Sequence, residues 1–117
     1  MSEALFPEAT WISLDEASQI LDVTVNKVRQ LIAEGAIASL RVGEPPAPRI
    51  PAEFFQDGMI VKNLGGTLTV LADSGFSNEE ALIWLFTADE TLPGTPIQAL
   101  REDRGREVRR RAQSLAF

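Results

Sequence analysis

The 117-residue sequence has no cysteine and no histidine. The first absence excludes disulfides and thiolate metal sites. The second removes imidazole, both as a metal ligand and as the base of a Ser-His or Cys-His nucleophile pair. No apolar run approaches the ~20 residues that a membrane-spanning helix needs. The N-terminal MSEALFPEAT carries two acids and no base, so a secretory leader is not expected. A cytoplasmic protein without metal or cofactor is the expectation. Isolated carboxylates remain, and alone they make no case for an enzyme. Bases are also scarce, with 11 Lys and Arg against 17 Asp and Glu for a net charge of −6. The apolar fraction of 44% can still support a core.

What is present is organised around residues 13–51, SLDEASQILDVTVNKVRQLIAEGAIASLRVGEPPAPRIP. Ser13 with Glu16 forms a capping box that opens a helix. Leu14, Ala17, Ile20 and Leu21 recur at the helical period. Asp22-Val23 breaks the pattern and Thr24 is a good N-cap for a second helix. Val25, Val28, Leu31 and Ile32 form its inward stripe, and Gly35 stops it. Two short β-prone pieces follow, flanking a Pro-rich loop. Helix, turn, helix and hairpin in that order predict a winged helix-turn-helix.

With the apolar stripe inward, Asn26, Lys27, Arg29 and Gln30 of the second helix face away from the core. Asn and Gln suit adenine, and Arg and Lys suit guanine or phosphate. Thr24 is placed to touch phosphate at the helix N-terminus. These groups on the second helix, with Arg41 and Arg49 on the wing strands, predict a major-groove reader clamped from the wing. The acidic balance opposes this, because phosphate contact is usually the main affinity term. Distribution matters more than the sum: residues 1–63 hold nine acids and five bases, yet four of those bases fall on the second helix and the wing.

The run from Leu14 to Phe55 resembles the excisionase and MerR-type winged helix-turn-helix domains. Glu34-Gly35, Arg41-Val42-Gly43 and Arg49-Ile50-Pro51 stand in the order those domains use. Glu44, in the loop Glu44-Pro45-Pro46-Ala47-Pro48, departs from the polar or basic tips of that group. This leaves Arg41 and Arg49 as the better wing candidates.

Residues 1–12 hold Leu5, Phe6, Trp11 and Ile12, so part of this segment is expected to pack on the domain. Trp11-Ile12 suits a short strand or a hydrophobic staple. Thr10 is a hydroxyl that phosphorylation could reach, and added phosphate near a DNA-facing surface would repel the backbone. An ordinary threonine is the simpler interpretation. Pro51 is read as the first position of a short helix, with Phe54 and Phe55 as core. A turn at Gln56-Asp57-Gly58 sets the expected boundary. Residues 1–57 form the winged domain, and residues 58–117 form a helical domain packed on it. The fold class is mostly α with a small β wing, ending in a C-terminal helical bundle.

In that second half, a helix over about 59–73 is preferred to a strand at 67–71, with Gly65-Gly66 marking close packing or a kink. Ser77 with Glu80 is a second capping box, opening a helix over 78–87 that is apolar on nearly all sides. Such a helix is buried or meets a partner. Thr95 with Gln98 is a third box, followed by Pro96. A last helix, about 105–116, turns Val108, Ala112 and Leu115 inward. Residues 101–111, REDRGREVRRR, hold six Arg and three acids. A solvated helix with pairs such as Glu102–Arg106 and Glu107–Arg111 is favoured there over extra phosphate contact.

The segments VKNLGGTLTVLADSGFSNEEALIWLFTADETLP, GTPIQAL and EVRRRAQSLAF resemble the C-terminal region of a small actinobacterial family of winged helix-turn-helix DNA-binding proteins. With the first half, that resemblance covers nearly the whole chain. It implies a regulator, with a Ser/Thr protein kinase acting on the N-terminal tail; Thr10 and Ser2 are the hydroxyls before Ser13. Gly94-Thr95-Pro96 and its helix also resemble the toxin-binding domain of some antitoxins.

Two functions follow. One is a sequence-specific double-stranded DNA binder that regulates transcription, leaning towards a homodimer because a dimer doubles the contacts. The other is an antitoxin-like adaptor whose C-terminal helices hold a protein partner.

Overall fold

The structure, a computed structural model, describes residues 10–92 and 94–115. Its first unit is built by local chemistry. Strand β1 (Trp11–Ser13) runs directly into α1 (Leu14–Leu21). The Ser13 hydroxyl accepts from the Glu16 amide at 3.0 Å, and Glu16 Oε1 accepts from the Ser13 amide at 2.8 Å. The expected capping box is therefore complete. The Ser13 backbone N–H, then its hydroxyl, hold the Glu16 carboxyl below its ordinary value, with a smaller attraction from Arg49. Asp22 ends α1 in the left-handed region. Thr24 then opens α2 (Val25–Ala33), its Oγ1 accepting from the Lys27 amide at 3.1 Å. Such a cap stabilises a helix by about 1 kcal/mol. Gly35 follows with φ +80°, the left-handed conformation expected after a helix.

The wing is the hairpin of β2 (Leu40–Val42) and β3 (Ala47–Pro51). The strand order β1-β3-β2 puts β3 in the middle of an antiparallel sheet. Ile12 pairs with Ile50, and Arg41 pairs with Pro48. Trp11-Ile12 is thus part of a strand. The expectation that Leu5 and Phe6 pack on the domain lies outside the described residues.

Past the wing, Pro51 precedes a 3-10 turn, Ala52–Phe54, as its cap rather than its first residue. Phe54 and Phe55 are buried as expected. The expected turn is the tip of a small hairpin, β4 (Phe55–Gln56) with β5 (Met59–Ile60). Asp57 and Gly58 both take positive φ there, as a two-residue hairpin loop requires.

The next helix, α3 (Leu64–Asp73), starts about five residues later than the apolar spacing suggested. Met59 and Ile60 belong to the hairpin, so their hydrophobicity had extended the apparent stripe. Gly65 and Gly66 sit inside its first turn. A Cβ on Gly65 would lie 3.5 Å from Ala36 Cα, and one on Gly66 would lie 3.5 Å from Arg109 Nε. Close packing explains both.

Helix α4 (Asn78–Leu85) opens on the second complete capping box, Ser77 with Glu80. Helices α5 (Pro96–Arg101) and α6 (Gly105–Gln113) are the last elements among the described residues. The third box is only half made. Thr95 Oγ1 accepts from the Gln98 amide, but Gln98 Nε2 donates to Glu102 instead of the side chain returning to Thr95. A single buried cluster joins both halves, from Val28 and Ile50 through Phe54 to Leu68, Leu82 and Val108. Burying one such large side chain is worth about 1.5–3 kcal/mol.

Candidate nucleic-acid interface

Helix α2 positions the predicted reading residues. Val28 is fully buried, and Val25, Leu31 and Ile32 are partly so. That anchors the inner stripe and leaves Thr24, Asn26, Lys27, Arg29 and Gln30 exposed. Their neighbours order some of them. Arg29 Nη1 donates to Asn26 Oδ1 at 3.4 Å, a long contact between side chains one turn apart. Gln30 Nε2 donates to Glu34 Oε2 at 2.9 Å. The far end of the reading face therefore carries a carboxylate. Lys27 gives its backbone amide to the Thr24 hydroxyl, so that hydroxyl is already engaged by the helix it caps.

The sheet register separates the two wing arginines. Arg41 is opposite Pro48, and Arg49 is opposite Leu40 and Ser13. Residues one register step apart face opposite sides of a pleated sheet, so Arg41 and Arg49 do not form one clamp. Arg41 is exposed near the tip, its Nη2 donating to Pro46 O at 3.2 Å. Arg49 is half-buried on the opposite side, and its charge acts on Glu16. Arg41 is the freer cation of the pair.

Thr10 begins the described chain and is exposed. Its amide donates to both Glu53 carboxylate oxygens, at 3.1 and 3.2 Å, and its carbonyl accepts from the Ala52 amide. This residue is tied to the Ala52–Phe54 turn just before β1.

The arginine-rich run divides in a way its sequence did not disclose. Arg101 Nη1 donates to Glu53 O and Phe55 O at 2.9 and 2.6 Å, fastening α5 to the junction between the halves. Arg111 donates to Thr91 Oγ1 and O, and to Glu107 O. Arg104 pairs with Glu102 at 3.0 Å and Glu107 at 4.0 Å. The expected Glu102–Arg106 and Glu107–Arg111 ion pairs are not formed, because Arg104 takes both acids. Arg106, Arg109 and Arg110 remain on another side of α6.

The family described as "DNA-binding protein Rv2175c, wHTH domain" matches residues 1–55. The family described as "Rv2175c C-terminal domain of unknown function" matches residues 61–116. A curated relative, "DNA-binding protein Rv2175c" of Mycobacterium tuberculosis (strain ATCC 25618 / H37Rv), is 35% identical over 128 residues, spanning 98% of this chain and 86% of its own length. A solved structure, "NMR structure of Rv2175c", superposes with a TM-score of 0.84 at 35% identity, covering 95% of this chain and 84% of that one. With both halves matched in order and the fold shared, the chain belongs to the actinobacterial Rv2175c family of winged helix-turn-helix proteins.

Proposed function

We propose that this protein binds double-stranded DNA sequence-specifically and regulates transcription, without catalysis, in the cytoplasm. Helix α2 enters the major groove, with Asn26, Lys27, Arg29 and Gln30 at base edges and Thr24 near phosphate. Arg41 reaches the backbone from the wing tip, and Arg49 supports from the other face of the sheet. Residues 1–57 carry these contacts, and residues 58–117 form the helical unit packed on them. The single observation that supports this reading most is the exposure of all four polar side chains of α2 on a helix whose other face is anchored by buried Val28. The relative's name, DNA-binding protein, points the same way.

The test is a fluorescence-anisotropy titration of the full chain with random and genomic duplexes at two salt concentrations. Duplex binding that weakens with salt and with Arg29→Ala is expected. Absence of binding at low salt removes the reading and leaves the partner-binding adaptor. Within the same proposal, Thr10 is the hydroxyl a Ser/Thr kinase would take. A phosphate there would be repelled by the Glu53 carboxylate that now holds the Thr10 amide. A homodimer would double the contacts of an acidic monomer.

A further inference from the structure

Helix α6 segregates its charges. Arg106, Arg109 and Arg110 recur at the spacing that places side chains on one helix face. They converge with Lys62, Asn63 and Gln113 on an open cleft of about 520 Å³ that no carboxylate lines. The acid of this helix, Glu107, turns its carboxylate to Arg104 instead. Among the described residues, none of these four cations has a side-chain hydrogen bond or ion pair.

This arrangement is unfavourable for the isolated fold. Like charges four residues apart, such as Arg106 and Arg110, destabilise a helix. Arg106, in its first turn, opposes the macrodipole, whereas Arg110 in its last turn does not. In a chain of net charge −6 with 17 acids, carboxylates were available to relieve the repulsion, yet none lines the cleft. A ligand of opposite charge relieves it.

The cleft's place in the fold identifies that ligand. Ala36, just past the Gly35 stop of α2, lies against Gly65 at the start of α3. The adjacent Gly66 lies against the Arg109 guanidinium. A short chain of contacts thus leads from the end of α2 to the cationic cleft. The longest dimension of the molecule is 35 Å, and one turn of B-DNA spans about 34–36 Å. The end of α2 and the cationic cleft thus lie within a span no longer than one helical turn of duplex.

We propose that Lys62, Arg106, Arg109 and Arg110 form a second, sequence-independent contact with the phosphate backbone of the duplex that α2 reads. The proposal rests on the DNA-binding reading of α2. It gives the C-terminal helical unit a role in affinity: the cleft supplies cations that the acidic winged unit lacks, and α2 supplies the sequence choice.

The experiment compares the full-length wild type, Arg29→Ala, and the triple variant Lys62→Gln/Arg106→Gln/Arg110→Gln. Arg109 is kept because its side chain packs on Gly66. Binding to random-sequence and genomic duplexes of about two helical turns is followed by anisotropy over a salt series. Each lost phosphate contact lowers the slope of log K against log salt by about 0.9. The triple variant is therefore expected to lose about 2.7 from the slope and to bind more weakly. Its melting temperature should stay the same or rise, because like-charge repulsion is removed. An unchanged slope and affinity in the triple variant, with Arg29→Ala still impaired, overturns the α6 contact and leaves the α2 reading intact. A reduced slope in the triple variant with Arg29→Ala unimpaired on every duplex, genomic ones included, supports the α6 contact and overturns the α2 reading. A wild type that binds no duplex at low salt overturns both.

Discussion

Helices α2 and α6 are each nine residues long, and each carries cations outward, but they do so differently. On α2 the polar groups are mixed, two amides with two cations. Arg29 touches Asn26 and Gln30 touches Glu34. On α6 the outward face is three arginines and a glutamine, and its arginines touch no acid among the described residues. Amides and cations held in register suit a surface that must discriminate between bases. Unpaired cations suit one that only attracts charge. The contrast shows why net charge misleads for this chain: Glu16 and Glu80 close capping boxes, Glu102 and Glu107 pair with Arg104, and no carboxylate lines the α6 cleft.

The largest expected effect concerns the joint that carries α6. A Cβ on Gly105 would lie 2.7 Å from both Cβ and Cγ of Asn63, and closer still to its amide nitrogen. The obstacle includes the root of that side chain, so a rotamer change does not clear it. Gly105→Ala is expected to cost about 3 kcal/mol, the upper end of the usual overpacking range. Asn63 has φ +71°, a conformation glycine adopts freely, so Asn63→Gly should rescue much of the loss. Chemical denaturation of the two single variants and the double variant measures this coupling. Additive effects would mean that the α3–α6 joint is looser than the close approach indicates, and the cationic cleft with it.

Arg29→Ala sharpens the contrast in binding. A base-edge contact is worth about 1–3 kcal/mol, or roughly tenfold to a hundredfold in affinity. Arg29 is exposed and lacks an acidic partner among the described residues, so stability should hardly change. The loss should be greater on a cognate duplex than on a random one. An equal loss on both would make Arg29 a phosphate contact and bring α2 closer to α6 in character.

These two positions also mark what could be read in advance. Caps are local chemistry, so Ser13 with Glu16, Ser77 with Glu80, Thr24 and Gly35 were all legible, and with them α1, α2, α4 and the wing. The polar face of α2 followed from its apolar stripe. The hairpin at residues 55–60 was not legible, because its strands are two residues each and their apolar side chains merge with the helical spacing of α3. Nor was the cleft. Spacing suggested acid–base pairs along residues 101–111, and Lys62 reaches Arg106 and Arg110 only through the docking of α3 on α6. Arg104 could not be foreseen as the residue that takes both Glu102 and Glu107. Sequence spacing proposed neighbours four apart, whereas the turn before α6 brings residues two and three apart together. The opposite facing of Arg41 and Arg49 required the strand register.

Thr24→Ala separates folding from binding in α2. The Oγ1 bond to the Lys27 amide is lost, and removal of such a cap costs about 1 kcal/mol. Urea denaturation should show that loss. Duplex affinity should fall by less than in Arg29→Ala, because the reading side chains remain. A fall as large as that of Arg29→Ala would assign the hydroxyl a direct part in phosphate contact.

The smallest effect tests whether α2 is tuned against affinity. Glu34 stands at the C-cap of α2 and accepts from Gln30. A carboxylate there opposes both the helix dipole and an approaching phosphate backbone. Glu34→Gln removes the charge and keeps the length of the side chain. Exposed charge terms of this kind amount to about 0.3–0.5 kcal/mol, so duplex affinity should rise by roughly twofold with no loss of stability. The gain should shrink as salt is raised, because the term is screened. A fall in affinity would carry the opposite lesson. It would mean that the carboxylate holds Gln30 in the orientation the groove requires, and that α2 gives up some attraction for a fixed amide in a way α6 does not.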